Sequence, residues 1–264
     1  LPYLRSAAVP VRDMLPTATG DYTVAGDDRW YRALSFLPGK TVHDSVTPTM
    51  AKSAGALIGR FHRTVAEVDL FLTEPIPHFH DTPHYFSRLQ TVANQCQDEL
   101  KRAGLQTLSE QIQSTYAMHV AAPPDLPRRT IHGDLKISNL LFDDSDHAVG
   151  LIDLDTLMNH TIAIEMGDAL RSWSQVAGED RSDQVFDQAV YDAALEGYLG
   201  EATFLTAAEQ QALPWGVGLV TLELAARFLT DAYEEDYFTL SPAYESLYEQ
   251  NKQRAANQLQ FYNV

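Results

Sequence analysis

The sequence has a single cysteine, Cys96, so no intrachain disulfide can form. That suits a reducing compartment, and the expected location is the cytoplasm. No apolar run reaches the length of a membrane span. The longest, Gly216 to Leu229, is interrupted by Glu223 and Arg227. No signal peptide is read at the start of the chain. Basic residues are scarce: 19 Lys and Arg stand against 36 Asp and Glu, a formal charge of −17. So acidic a surface argues against nucleic-acid partners, whose affinity comes largely from Lys and Arg contacts to phosphate. It also disfavours anionic membranes. The charge serves solubility, and an acidic cleft for a cationic substrate is its sharper use. What remains is an ordinary globular composition over 264 residues, 45 % hydrophobic and 21 % charged. That length suits one large domain, or a small lobe and a large one.

Residues 1 to 46 read as strands and turns. Val9 to Val11 is short and extended, and Tyr22–Val24 and Trp30–Phe36 are β-rich runs about a turn at Gly26–Asp28. From residue 47 the pattern turns helical. Thr47 is a plausible N-cap with Pro48 at the first helical position, and Leu57, Ile58, Phe61, Val65 and Val68 share a face. Glu74 to Pro83 reads as a loop, and Tyr85 to Met118 as two helices with Gly104 between them. Leu140–Phe142 and Val149–Ile152 flank a turn rich in Asp and Ser, a hairpin pattern. Ser182 is read as the cap of a helix whose Phe186, Ala189, Val190 and Ala193 share a face. Thr206 to Glu209 has capping-box spacing, and Gly216 to Tyr233 is apolar on several sides, as in a buried helix.

The chemistry concentrates in Thr130–Asn139 (TIHGDLKISN) and Leu151–Asp155 (LIDLD). Phosphoryl transfer needs a carboxylate to orient the acceptor hydroxyl, oxygen ligands for Mg²⁺, and cations near the phosphates. Asp134 is the candidate base. Asn139 offers a carbonyl oxygen, and a hairpin brings Asp153 back beside it. Lys136 is the candidate cation for the transferred phosphate. Each residue alone has a structural use: His-Gly-Asp is a common turn, and Asp153 is a possible strand-end cap. The combined spacing is the signal, since a protein-kinase catalytic loop has the same Asp-to-Asn separation.

These residues resemble the aminoglycoside phosphotransferase and choline kinase superfamily, marked by a His-Gly-Asp loop, a following Asn and an Ile-Asp strand end. Within it, Ile76–Pro83 (IPHFHDTP), Ile152–Thr156 (IDLDT), Gly167–Arg171 (GDALR), and Ala226–Asp231 (ARFLTD) with Tyr237 and Phe238 resemble the N-acetylhexosamine 1-kinase type of sugar kinase. The resemblance runs from about residue 22 onward. It implies an α+β, protein-kinase-like two-lobe fold: residues 1–37 as the rest of a small β lobe with its hinge, and 38–264 as a large, mainly helical catalytic lobe. It implies an enzyme using ATP and Mg²⁺ to phosphorylate a small-molecule hydroxyl, first the anomeric hydroxyl of an N-acetylhexosamine or hexose. Asp134 is then the base, with His132 stiffening its loop and Lys136 beside it. Asn139 and Asp153 are the metal ligands, assisted by Asp155. Ser35, Phe36 and Leu37, with Leu141 and Ile152, fall on the nucleotide side. Asp168, Arg171, Arg227 and Tyr237 fall on the sugar side, although Asp168 and Arg171, three apart on a helix, also suit a pair with each other.

The sequence departs from a complete kinase pattern in one respect. It shows no glycine-rich loop and no strand lysine, since Lys40 follows the hinge and Lys52 lies in a helix. Because the chain opens on Leu1, the expectation is that N-terminal residues are missing. The alternative is a protein that binds without turnover. Asp153-Leu154-Asp155, where a protein kinase has Asp-Phe-Gly, and the lack of an Ala-Pro-Glu segment argue against a protein kinase. Aminoglycosides and choline are the rival acceptors, and a metal-dependent phosphatase finds too few extra ligands near Asp153.

Overall fold

The computed structural model describes residues 2–43, 45–68, 70, 72, 76–176 and 178–264. In chain order the elements are α1 (Pro2–Ser6), β1 (Met14–Leu15), β2 (Val24–Ala25), β3 (Trp30–Tyr31), β4 (Ala33–Leu34), α2 (Pro48–Ala66), α3 (Thr82–Gln95), α4 (Glu99–His119) and β5 (Arg129–Ile131). They continue with β6 (Leu140–Phe142), β7 (Ala148–Leu151), β8 (Met158–His160), α5 (Ile162–Ser174), α6 (Gln188–Glu201), α7 (Ala207–Gln211), α8 (Leu213–Glu234) and α9 (Leu247–Tyr262). Two compact units form. The first is Leu1–Phe71, Lys136–Asp155 and Ala189–Phe204; the second is Leu72–Leu135, Thr156–Gln188 and Leu205–Val264. A boundary after residue 37 does not coincide with this division. The first unit also takes α2, the β6–β7 hairpin and most of α6, because those elements pack on one another.

In the first unit, Thr47 caps α2 as its sequence suggests: its side chain accepts from the Met50 N–H, and Pro48 occupies the first turn. Leu57, Ile58, Phe61 and Val65 are buried along one face. α2 meets α6 at glycines, where a Cβ on Gly197 would overlap the Lys52 carbonyl oxygen. Beside the crossing, His62 Nδ1 lies 3.1 Å from the Tyr198 hydroxyl. The β6–β7 hairpin pairs Leu140 with Leu151. Asp143 shapes its turn by accepting from the N–H groups of Ser145 and His147 at 2.8 and 2.9 Å. Val11 bridges to Leu151 in parallel, so the extended Val9–Val11 segment lies along this hairpin. The Trp30–Phe36 run is divided between two hairpin pairings, β2 with β3 and β1 with β4.

In the second unit, α8 packs against α3, α4, α5 and α9, which explains why it is apolar on several sides. β5 pairs antiparallel with β8. The capping box of α7 forms as its spacing suggests. Two expectations fail. Gly104 lies inside α4 rather than between helices. The break comes at Cys96–Asp98, where Asp98 caps α4 by accepting from Lys101 N–H. The glycine gives room to Tyr248, whose hydroxyl stands where a Cβ would be. Ser182 caps no helix, because residues 182–187 are irregular and α6 begins at Gln188. Of the expected 74–83 loop, residues 74 and 75 lie outside the described residues. Its end is helical, with Asp81 capping α3 and Pro83 in the first turn. Among the described residues, no helix is long and apolar enough to cross a membrane.

Candidate active site

The chain passes between units after Leu135 and again after Asp155, so Asp134 belongs to the second unit and Asn139, Asp153 and Asp155 to the first. Each group is held within its own unit.

In the second unit, β5 delivers His132, Gly133 and Asp134. Gly133 has φ +87°, and a Cβ there would lie 2.5 Å from the Thr156 carbonyl oxygen, so only glycine fits. Glu165, 1 % exposed in the first turn of α5, accepts from both N–H groups: His132 at 2.7 Å and Gly133 at 2.9 Å. His80 Nε2 lies 3.1 Å from the Gly133 carbonyl oxygen, and Trp173 Nε1 donates to the Leu135 carbonyl at 2.9 Å. His132 is wholly buried, and its Nδ1 accepts from Asp134 N–H at 3.3 Å, as a loop-stiffening residue would. Asp134 itself is partly exposed. Glu165, His80 and Trp173 were not legible as site residues. The hints were a carboxylate within the apolar run at 162–170 and the place of His80 within the Ile76–Pro83 segment.

In the first unit, exposed Lys136 precedes a 3₁₀ turn, Ile137–Asn139. Asn139 is 5 % exposed, and its backbone carbonyl accepts from Ile152 N–H at 3.0 Å, so the side-chain amide oxygen is the atom that could meet a cation. The hairpin therefore sets Asp153 next to the residue bonded to Asn139. Asp153 is exposed, with left-handed φ of +62°. Such conformations cost about 1–3 kcal/mol for a non-glycine residue and cluster at functional sites. Asp155 is engaged elsewhere: the Arg32 guanidinium binds both its oxygens, one at 2.6 Å, and holds its carboxyl below the usual range. Asn139 and Asp153 are the oxygen donors that could hold a divalent cation, while Asp155 is paired with Arg32. On the expected nucleotide side, Ser35 N–H is donated to the Asp13 carbonyl at 2.9 Å, so it is not open to adenine. Phe36 is 85 % exposed, Leu37 packs against Gly150, Leu141 is buried and Ile152 half-buried.

The four sugar-side candidates separate into two pairs in the second unit. Arg171 is buried and bonded to Asp168 at 3.2 Å and to Gln175 at 3.3 Å, so this pair closes on itself. Arg227 stands over the rings of Tyr85 and Tyr237, 5.1 and 5.7 Å from their centroids, and donates to the Tyr237 hydroxyl at 3.2 Å. These three residues line a cavity of about 220 Å³. Among the described residues, its acidic lining, Asp231 and Glu234, is already engaged. Asp231 accepts from the N–H groups of Asp236, Tyr237 and Phe238 and from the Asn251 amide; Glu234 accepts from Arg88. His78, Asp81 and His84 also bring ligand atoms within 4.8 Å of one another. Their imidazoles, however, stack at 3.7 Å with 4° between planes, so the in-plane lone pairs run parallel and do not converge on an ion.

The model of the phosphotransferase enzyme family (APH) matches residues 1–207. Among solved structures, an aminoglycoside phosphotransferase from Alicyclobacillus acidocaldarius superposes with a TM-score of 0.68 at 14 % identity, over 99 % of this chain and 80 % of its own. A microcompartment-associated aminopropanol kinase gives 0.63 at 19 % identity, over 100 % and 78 %. An amicoumacin kinase bound to AMP-PNP, Ca²⁺ and its antibiotic gives 0.63 at 16 %, over 99 % and 75 %. The fold is the kinase-like, mixed α+β two-lobe fold of these enzymes.

Proposed function

The chain belongs to the phosphotransferase enzyme family, and on that premise we propose that it transfers the γ-phosphoryl group of ATP to a hydroxyl of a sugar, the anomeric hydroxyl of an N-acetylhexosamine or hexose first. The observation that carries the reading is the clamped His-Gly-Asp loop followed by Asn139 and Asp153 on one hairpin. Asp134 orients the acceptor hydroxyl and takes its proton. His132 keeps the loop rigid, and Lys136 approaches the phosphates. Asn139 and Asp153 would hold Mg²⁺, which supplies charge neutralisation at the phosphates when bound. Phe36, Leu37, Leu141 and Ile152 serve the nucleotide.

The acceptor reading rests on the cavity of Tyr85, Arg227 and Tyr237. Two tyrosine rings and a guanidinium suit the faces and hydroxyls of a hexose. Among the described lining residues an ammonium finds no open carboxylate, and it meets the cation of Arg227. The rival is an amine-bearing acceptor, an aminoglycoside or amino alcohol, favoured by the charge of −17 and by the acceptors named for the similar structures.

ADP release with Mg·ATP and a panel of N-acetylhexosamines, hexoses, aminoglycosides, choline and aminopropanol decides between them. The expected result is sugar-dependent release, with Arg227→Ala raising the sugar KM about tenfold or more. Release with amines alone would overturn the sugar assignment. No release with any acceptor would overturn both.

A further inference from the structure

Both ring nitrogens of His80 face acceptors. Nε2 lies 3.1 Å from the Gly133 carbonyl oxygen, and Nδ1 lies 3.3 Å from Glu223 Oε1. The Nε2 contact is a hydrogen bond to the carbonyl, whereas the Nδ1 contact is an ion-pair approach without hydrogen-bond alignment, so the pairing with Glu223 is one of charge, which an imidazolium supplies. Glu223 is itself fixed. It is 1 % exposed in the apolar helix α8, and Thr82 donates to its second oxygen at 2.5 Å. A carboxylate buried there requires a charged partner, and His80, also buried, is the cation in contact with it.

The loop has a mechanical need for such a contact. Gly133 has the widest backbone freedom of any residue type, and Asp134 projects from the next position. Glu165 holds the N–H groups of His132 and Gly133, and the peptide linking Gly133 to Asp134 is held at its N–H by a long 3.3 Å contact to His132 Nδ1 and at its carbonyl by His80. We propose that His80, as an imidazolium pinned to Glu223, is a positioning residue of the catalytic loop: it fixes the Gly133 carbonyl and with it the direction in which Asp134 points. This rests on the reading of Asp134 as the proton acceptor.

The surrounding charges agree. Burial alone would lower the His80 pKa. The close contact and charge of Glu223 on α8, the charge of Asp168 on α5 and the Gly133 carbonyl outweigh it and raise the value to about 9. His160 on β8 is pushed down to about 4, first by burial and then by the charges of Arg128 and His80, so it stays neutral and does not compete for Glu223.

The test uses the full chain with ¹⁵N-labelled histidine, followed by NMR through the alkaline range. One ring doubly protonated near pH 8 is expected, missing from His80→Gln and titrating near 9. In Glu223→Gln its midpoint should fall by about one unit or more. Amide exchange across residues 131–135 should rise about tenfold in both variants while α9 is unchanged. With N-acetylglucosamine as acceptor, kcat should fall while the KM for ATP holds, and the alkaline limb of kcat should move to lower pH in Glu223→Gln. A merely structural pair would leave that limb in place. If His80→Gln does not fold, the isosteric Glu223→Gln carries the test. A wild type without a doubly protonated ring near pH 8, or exchange at 131–135 unmoved in both variants, overturns the proposal. The NMR and exchange readings need no acceptor, so they stand whichever hydroxyl the enzyme uses. Asp134→Asn that kept its turnover would sink the role of Asp134 instead.

Discussion

Asp231 shows how much one buried side chain arranges. At 2 % exposure, its two oxygens collect three consecutive backbone N–H groups, from Asp236 to Phe238, and the amide of Asn251. The loop so gathered carries Tyr237 to the cavity it shares with Arg227. Asp231→Ala leaves those donors without their acceptor, and an unmet buried donor costs about 1–3 kcal/mol. Melting should report a loss of at least ~2 kcal/mol, and the acceptor KM should rise with kcat little changed. A variant that lost stability but kept its KM would separate the loop from recognition. At this scale the sequence offered Asp134, Asn139 and Asp153 as candidates because their spacing is itself the signal. It did not show Glu165 and His80, whose importance comes from reaching a loop 32 and 53 residues away. Asp155 shows a partner that the sequence did not announce. Its place beside Asp153 suggested a metal ligand, and Arg32, distant in sequence, claims both its oxygens.

Among the elements, those whose signals are local were legible. Thr47-Pro48, the Asp143 turn of the hairpin and the Thr206–Glu209 box each satisfy backbone groups within a few residues. Gly104 and Ser182 were misread because glycine and serine have other uses that only packing decides. The crossing of α2 and α6 turns the same ambiguity into a measurement. Gly197 meets the backbone of Lys52, whereas Gly200, on the same helix, has nothing within 4 Å of a built Cβ. Gly200→Ala should stabilise the protein by about 0.5–1 kcal/mol, since alanine is the better helix former. Gly197→Ala should destabilise it by about 1–3 kcal/mol by forcing the helices apart. Chemical denaturation of the pair reads both signs, and equal effects would contradict the close crossing.

Over the whole molecule, two histidines of the second unit set opposite limits on stability with pH. His80 is raised to about 9 from an ordinary 6.5, so its contribution is fully present below 6.5 and is lost as pH rises through 9. His160 is lowered to about 4, so its contribution is present above 6.5 and is lost as pH falls toward 4, where the unfolded chain takes up the proton first. The histidine part of the stability therefore peaks near 6.5. Melting temperatures across the pH range should show His160→Asn flattening the acid side relative to wild type and His80→Gln flattening the alkaline side. The reverse assignment would contradict the two environments.

The central claim is that Asp134 performs the chemistry. Its most direct measurement is the turnover of Asp134→Asn beside its nucleotide affinity, with the sugar that gives most ADP as acceptor. The account predicts a kcat lower by about 100-fold or more with ATP binding retained, because a general base acts on the chemical step. Turnover within a few-fold of wild type would contradict it.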